Sequence, residues 1–530
     1  MKNTFIRLLG LALVFVMAFS LFVGCGSSET TDTETKTEEK TENKTEEKTE
    51  TKTEGGEVKD SIIIATANET PTMHPYEHSA VAATYMNYLT YDYFLTSNVD
   101  TLEPEVGMIT GWENPSDLEW VFTIRDDVTY HNGEKVLAED FVASMYYAKD
   151  DYSAYTQNYS TFWESAEVID DTHFKVTTFT PFALTLNKLS SYKVLDKDLI
   201  DADHDFNAEP IGTGAYKFVE WELGDHVSFV ANEDYWQGAP AIKNMTWRVI
   251  PEGSSRTIAL DAGEIDVIIE VETNDMARMQ ETDGLTVATR TGTSFNWLIL
   301  NNERAPFDNK DFRHFMNCAI QKEALVEVAL NGAGTANYRQ SPAMFVGATD
   351  KNIDKYDPEL AQEYLDKSGI DSTTVVFSCI CSDDVKRRCA EVIQATLAEY
   401  GVTMNLESMD LATYLSTAGE GNFDTCIGGC TSSEGLGFVE YKYTSKMING
   451  SNWTRTNDPW IDEMYDKASQ TLDADERAKM VEEMVAYIQD LCPQVPTYSS
   501  DVVRAYNSNL QGYEFNASGN TYWHGVSWAE

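Results

Sequence analysis

The apolar positions of this chain change period from segment to segment, and each change marks an element. Ser61-Ile-Ile-Ile-Ala65 is a short unbroken apolar run of the kind buried in a sheet, and the turn-rich stretch Asn68 to Pro75 follows it. Trp120-Val-Phe-Thr-Ile-Arg125 alternates instead, with Glu119 before it, and predicts a strand with one wet face. Between Val128 and Val136 the pair Asn132-Gly133 separates two extended runs, which predicts a two-residue type I′ hairpin turn. Thr374 to Cys381 reads as a buried strand. Then Val385, Cys389, Val392, Ile393, Thr396, Leu397 and Tyr400 recur at helical spacing, and Gly401 supplies the stop. Val402 to Glu407 returns as a strand, so the three segments predict a right-handed strand-helix-strand crossover and a parallel sheet. Asp357-Pro358-Glu359 places an N-cap, a first-turn proline and an early acid before Ala361, Tyr364 and Leu365, with Gly369 closing the helix. Asp458-Pro459 repeats the device ahead of Ile461, Met464, Tyr465 and Ala468. The expected fold class is mixed α/β.

The first 60 residues follow another rule. Lys2 and Arg7 precede an apolar run from Leu8 to Val23, and Gly24-Cys25 closes it. The order resembles the lipobox of bacterial lipoproteins, with Phe22 where that family most often carries Leu. The resemblance implies a signal peptide over 1–24 and cleavage that leaves Cys25 lipidated, each buried methylene adding about 0.8 kcal/mol of membrane attachment. A single transmembrane anchor is the alternative, although the run is shorter than the ~20 residues a span needs. Ser27 to Lys59 is almost wholly Thr, Glu and Lys, too poor in apolar side chains to offset the entropy of ordering. Residues 25–60 are thus expected to be a disordered tether, with a root-mean-square reach of about 30 Å for a flexible coil of that length.

Charge and cysteine content narrow the partners. The 530 residues carry 87 acidic and 39 basic side chains, for a formal charge of −48. A polyanion would be repelled by that field, so nucleic acid and anionic membrane surfaces are poor partners, and no nucleic acid is expected. Cys318, Cys379, Cys381, Cys389, Cys426, Cys430 and Cys492 lack paired C-x-x-C spacing, which argues against a zinc site. Cys379, Cys381, Cys426 and Cys430 fall on two predicted strands that could be neighbours, so a disulfide among them and buried free thiols both stay open. His74 and His78 stand four apart, but Pro71 and Pro75 predict a loop rather than a metal-binding helix face. No Gly-x-Ser-x-Gly elbow, His-Glu-x-x-His pair or Gly-Lys-Ser/Thr phosphate loop occurs in the chain. The chain is expected to be no enzyme and to need no cofactor or metal, although a carboxylate pair for glycoside hydrolysis would leave no local signature.

Several blocks, in constant order from about residue 61 onward, resemble the peptide-binding family of extracellular solute receptors that serve ABC importers, the group holding oligopeptide-, dipeptide- and nickel-binding proteins. They are Leu102 to Glu113, Trp120 to Arg125 and Val128 to Phe141; Pro210-Ile-Gly-Thr-Gly-Ala-Tyr-Lys-Phe-Val-Glu-Trp221 with Asn232-Glu-Asp-Tyr-Trp236; and Gly263-Glu-Ile-Asp266. Asn301-Asn302 with Pro306 to Arg313, then Tyr356 to Gly369 and Gly421-Asn-Phe-Asp424, complete the series. The resemblance implies a two-lobed fold of the periplasmic-binding-protein type II kind with an additional subdomain. Lobe I would combine residues 61–85, 206–292 and 500–530, the subdomain 86–205 and lobe II 293–499, with two hinge crossings near 290 and 500. It further implies a monomer on the outer face of the cytoplasmic membrane, extracellular or periplasmic, that closes on a peptide ligand and delivers it to an ABC permease. A same-fold receptor for an oligosaccharide, a nickel chelate or a cationic amine is the alternative.

The same resemblance nominates the pocket. Glu69 matches an acid that peptide-binding relatives place after the first strand. Val267-Ile-Ile-Glu270-Val271 falls where relatives run an edge strand along the peptide backbone. Arg387 and Arg388 would grip a ligand carboxylate, the alternative being a solvated first helical turn. After Asp424 relatives carry a Gly-Trp pair and an aspartate for the peptide ammonium, whereas this chain reads Gly428-Gly429-Cys430-Thr-Ser-Ser433-Glu434. Ser433 and Glu434 are therefore the candidates there, and Glu69, Glu270 and Glu434 together would favour cationic cargo.

Overall fold

The computed structural model describes residues 59–78, 80–150, 161–432 and 434–529. Cys25, residues 26–58 of the tether and Ser433 lie outside the described residues, and so does the leader. Among the described residues no helix is long and apolar enough to cross a membrane.

One sheet runs through most of the described chain. Its strand order is Thr403–Ser408, Val376–Cys381, Thr425–Thr431, Leu285–Leu300, Gln494–Asn507, Val267–Ile268, Ser61–Thr66, Asn244–Val249, His226–Ala231 and Tyr216–Glu222, with Gly334–Ala336 also paired to Gln494–Asn507. The crossover expected from the sequence is present: Val376–Cys381 and Thr403–Ser408 pair in parallel, joined by the helix Asp384–Glu399, and Gly401 follows it at φ +83°. Side chains on the two faces of this end of the sheet enter different cores. Phe377, Cys379 and Cys381 pack with Phe312, Phe315 and Ile393. Ile380 and Cys426 pack on the other side with Phe438, Met484 and Ile488. Period-two alternation sets that division, and each fully buried large apolar side chain contributes about 1.5–3 kcal/mol. Residues around the other end of the sheet, such as Ile62, Ile64, Phe229 and Trp247, form a third core.

A second, four-stranded antiparallel sheet holds Ile109–Ser116, Glu119–Ile124, His173–Thr178 and Trp163–Asp170 in that order. Phe122 and Phe174 bury against Phe141 of the helix Ala138–Asp150, giving this part its own core. The predicted helix punctuation is also present. The Asp357 carboxylate accepts from the N–H groups of Glu359 and Leu360, with Pro358 in the first turn and Gly369 left-handed at the end. Asp458 caps the helix Pro459–Gln470 through Trp460 N–H.

The hairpin at Asn132-Gly133 departs from expectation. Only Gly133 has positive φ, +92°, whereas a type I′ turn needs two such residues. Tyr130 O accepts from Gly133 N–H at 2.9 Å and Tyr130 N–H donates to Glu134 O at 2.8 Å. The loop is therefore the three-residue kind, a turn followed by a left-handed glycine. Asn132 is held in it by its side chain, which accepts from Glu134 N–H (3.0 Å) and donates to Asp196 (3.1 Å).

Candidate functional site

The two long strands Leu285–Leu300 and Gln494–Asn507 lie side by side near the middle of the main sheet, the first also paired to Thr425–Thr431 and the second to Val267–Ile268. Their antiparallel register runs from Leu285↔Asn507 to Thr291↔Asp501, breaks, and resumes at Ser294↔Ser500. Gly292 sits in the break, where an added Cβ would lie 2.6 Å from Ser500 O. Thr293 N–H donates to Ala517 O (3.1 Å) and Thr293 O accepts from Ser432 N–H (3.3 Å). Segments from both ends of the sheet thus converge on this irregularity.

On one side the loop after the first strand is held by two carboxylates. Glu69 Oε1 accepts from Trp221 Nε1 (2.9 Å) and from Gly224 N–H (2.8 Å), which ties the loop to the hairpin at the sheet's far edge. Glu270 Oε2 accepts from Ala67 N–H at 2.9 Å, with Thr66 Oγ1 at 3.4 Å from its other oxygen. The expectation of an open edge along Val267 to Val271 is corrected. Val267–Ile268 is internal, pairing in parallel with Ser61–Thr66 and antiparallel with Gln494–Asn507. Ile269 N–H then bonds to Ala65 O, and Glu270 O accepts from Arg256 Nη2 at 2.9 Å. Val267 and Ile268 are thus paired on both sides within the protein, so a ligand strand has no open edge to join at those two residues.

On the other side Glu434 caps the helix Gly435–Tyr443, its carboxylate accepting from Leu436 N–H (2.8 Å) and Gly437 N–H (2.6 Å). Burial pushes its pKa up to about 7, against the pull of those two N–H groups and of Lys188, while Glu103 adds repulsion. Burial raises Glu103 as well, opposed by Arg477. The segment carrying Lys188 also touches this region through Ala183 N–H to Ser469 O (2.8 Å) and through Leu184, which packs with Phe345, Leu436 and Phe438. Gly428 and Gly429, which stand where relatives were expected to carry tryptophan, are closely packed: an added Cβ would meet Ile299 Cδ1 at 2.6 Å or Asn296 Oδ1 at 2.5 Å.

The two arginines have protein partners. Arg387 is half-exposed and pairs with Glu391 and, at 3.6 Å, with Asp384, the arrangement expected of a solvated first turn. Arg388 donates through Nε (3.2 Å) and Nη2 (3.0 Å) to Ala329 O near the end of the helix Lys322–Leu330. His74 Nδ1 accepts from the N–H groups of Tyr76 (3.1 Å) and Glu77 (3.0 Å), and its Nε2 meets Tyr147 Oη at 3.1 Å. His78 Nε2 lies 2.6 Å from Asn87 Nδ2. Burial lowers both imidazoles to about 4, so each ring is a neutral part of the loop. Cys379, Cys381, Cys426 and Cys430 are free thiols.

Sequence reasoning missed Arg504. It is buried, with Nη1 on Ile269 O, Nη2 on Gly519 O (2.9 Å) and Tyr85 Oη (3.3 Å), and joins the strand beside the register break to the helix Val81–Thr90. No local pattern distinguishes an arginine that serves buried carbonyls from a surface one. A cluster of His314, Asp354 and Cys492 is also buried. His314 Nδ1 lies 2.5 Å from Asp354 and its Nε2 lies 2.8 Å from Asp490 O, so both nitrogens are already engaged.

The sheet divided by two long strands, with a smaller subdomain attached, defines a two-lobed binding protein of the periplasmic type. The family model "Bacterial extracellular solute-binding proteins, family 5 Middle" matches residues 103–446, and the chain belongs to that family. Among curated relatives it is 26% identical over 459 residues to heme-binding protein A of Haemophilus influenzae, covering 80% of this chain and 84% of that one. It is 25% identical over 336 residues to a dipeptide-binding protein of Pseudomonas aeruginosa, covering 61% and 62%. The solved structure of HbpA2 from Haemophilus parasuis shares the fold with a TM-score of 0.83 at 24% identity, covering 89% of this chain and all of that one.

Proposed function

We propose that this protein is the membrane-tethered receptor of an ABC importer, capturing a peptide or a related solute between its two lobes and releasing it unchanged to the permease. The observation that carries the reading is the register break at Thr291/Ser294, the natural place for two long strands to bend as lobes close. In this reading residues 61–85, 206–292 and 500–530 form lobe I, 293–499 form lobe II, and 86–205 form the subdomain. Glu69 and Glu270 border the ligand space from one side, with Glu434 opposite them, Ser433 remains a candidate beside it in sequence, and Cys25 carries the lipid. The family membership and the relative named for dipeptide binding support the receptor role and the peptide assignment. The relative named for heme binding supports a second reading, a non-peptide cargo in the same cleft.

Native mass spectrometry of the protein purified with its endogenous ligand separates the two. A ladder of peptide masses is expected, and a single heme, metal-chelate or sugar mass would replace the peptide assignment. A ligand that is chemically altered on incubation would overturn the receptor role itself.

A further inference from the structure

A cavity of about 360 Å³ lies between the C-terminal end of the helix Val81–Thr90, the loop beyond it and the segment Tyr522-Trp523-His524. All its lining residues lie outside Leu285–Asn507, the stretch holding both long strands and everything between them. In the proposed division the cavity therefore lies between lobe I and the subdomain, and no residue of lobe II lines it.

Its chemistry is one-sided. Tyr88 and Tyr522 meet edge to face with centroids 6.1 Å apart, Tyr88 and Tyr93 pack with centroids 4.6 Å apart and rings tilted by 32°, and His524 lies 5.6 Å from Tyr235. Tyr522 Oη is fixed by donating to Ser97 O at 3.0 Å, so its ring is presented in one orientation. The carboxylates at the cavity are Asp92, Asp100 and Glu105, and no lysine or arginine lines it. Asp92 accepts from Tyr235 Oη (3.0 Å) and Trp236 Nε1 (3.1 Å), while Asp100 and Glu105 stay exposed, paired with Arg290 (3.0 Å) and Asn98 (2.7 Å). Just outside the lining, Lys193 Nζ lies 5.1 Å from the Tyr93 centroid, and burial lowers its pKa to about 7, so even this neighbouring amine adds little fixed positive charge.

We infer that this cavity is a second binding site, separate from the space between the lobes, and that it takes a compact organic cation, an ammonium group carried on an aromatic or short alkyl body. Tyrosine faces attract a cation through their quadrupole, and the exposed Glu105 carboxylate, whose partner is the neutral Asn98 amide, adds complementary charge. An anion would enter with no positive partner among the lining residues and would be desolvated there uncompensated. The volume is at the small end of the range for small-molecule sites, which selects a single amine over an extended peptide. The formal charge of −48 raises the local concentration of cations in the same direction.

Benzyltrimethylammonium and phenylacetate have similar bodies and opposite charges, and calorimetric titration of the whole protein with each tests the site. The cation is expected to saturate at one equivalent and the anion to bind at least about 10-fold more weakly. Tyr522→Leu keeps bulk but removes the quadrupole and is expected to weaken the cation about 5-fold, within the range measured for such contacts. Glu105→Gln, at an exposed position, is expected to weaken it about 3-fold without affecting folding. Equal affinity for the two probes overturns the inference, as does cation binding unmoved by both substitutions. A crystal structure showing the cation elsewhere overturns it as well, whatever the variants do. Peptide titrated into the cation-saturated protein distinguishes this site from the cleft. Unchanged peptide affinity supports two sites, and mutual exclusion would merge them into one and refute the separation.

Discussion

Replacing Glu434 with glutamine should make the protein less stable in acid and more stable above neutrality. The carboxylate caps the helix Gly435–Tyr443 through two N–H groups, and glutamine is a poor cap, so the substitution costs about 1 kcal/mol at every pH. Against this stands the charge. Burial moves the Glu434 pKa from its ordinary 4.5 to about 7, so between those values the folded protein holds a proton that the unfolded chain has lost. Wild-type stability therefore falls as pH rises through that window, at up to about 1.4 kcal/mol per pH unit, for a total of about 3 kcal/mol. Glutamine carries no such charge. The variant should be about 1 kcal/mol less stable than wild type at pH 4 and about 2 kcal/mol more stable at pH 8, crossing near pH 5 to 6. Equilibrium urea midpoints of both proteins at pH 4, 6 and 8 measure the difference, and the constant capping loss drops out of its slope. Glu103 titrates in both proteins and largely cancels. A difference that stays within about 0.5 kcal/mol from pH 4 to pH 8, or that falls with pH, would refute the argument that burial of this carboxylate dominates its energetics.

Arg504→Met should cost about 2–4 kcal/mol, because Ile269 O and Gly519 O lose charged donors in a buried site; urea unfolding measures it, and a loss under 1 kcal/mol would show that water replaces the guanidinium. Gly292→Val should destabilise by about 1–3 kcal/mol and weaken cargo binding, since its Cβ would stand 2.6 Å from Ser500 O; a ligand titration beside the unfolding curve shows whether both effects appear. Asp357→Ala should cost about 1 kcal/mol through lost capping and leave cargo affinity unchanged, read by the same two measurements. Cys25→Ser should release into the medium a protein that still binds cargo but no longer supports uptake, which fractionation and a transport assay would detect.

The parts of the fold legible in the sequence were those set by neighbours in the chain. Asp357-Pro358 and Asp458-Pro459 form the caps their spacing predicts, because a cap needs only a side-chain oxygen within three residues of free N–H groups. The crossover around the helix Asp384–Glu399 was readable for the same reason: its apolar stripe and the strands on either side each declare their own period. The hairpin at Gly133 shows the limit, since Asn-Gly fits both a two-residue and a three-residue loop. Contacts such as Asn132 to Asp196, 64 residues apart, help hold the one adopted. Val267–Ile268 shows it more sharply. Whether a strand is internal or at an edge is decided by what pairs with it, and here one partner comes from near residue 505.

Glu69, Glu270 and Glu434 look alike in the sequence as acids beside an expected cleft, yet each accepts a backbone N–H. A carboxylate has about four acceptor sites, so these bonds do not prevent contact with a ligand, but they do fix what the residues do without one. Glu69 and Glu270 together hold the loop from Ala67 to Glu69, and Glu434 starts a helix beside the segment that contains Lys188. In the proposed receptor, a loop fastened at both ends would meet a ligand with its shape already set, and less of the binding energy would be lost to ordering it. Removing such an acid would then disturb the proposed wall of the cleft as well as its charge, and a loss of cargo affinity alone would not identify an ammonium partner. The charge-reversed pair of probes at the aromatic cavity avoids that ambiguity, because it compares two ligands on one unaltered protein.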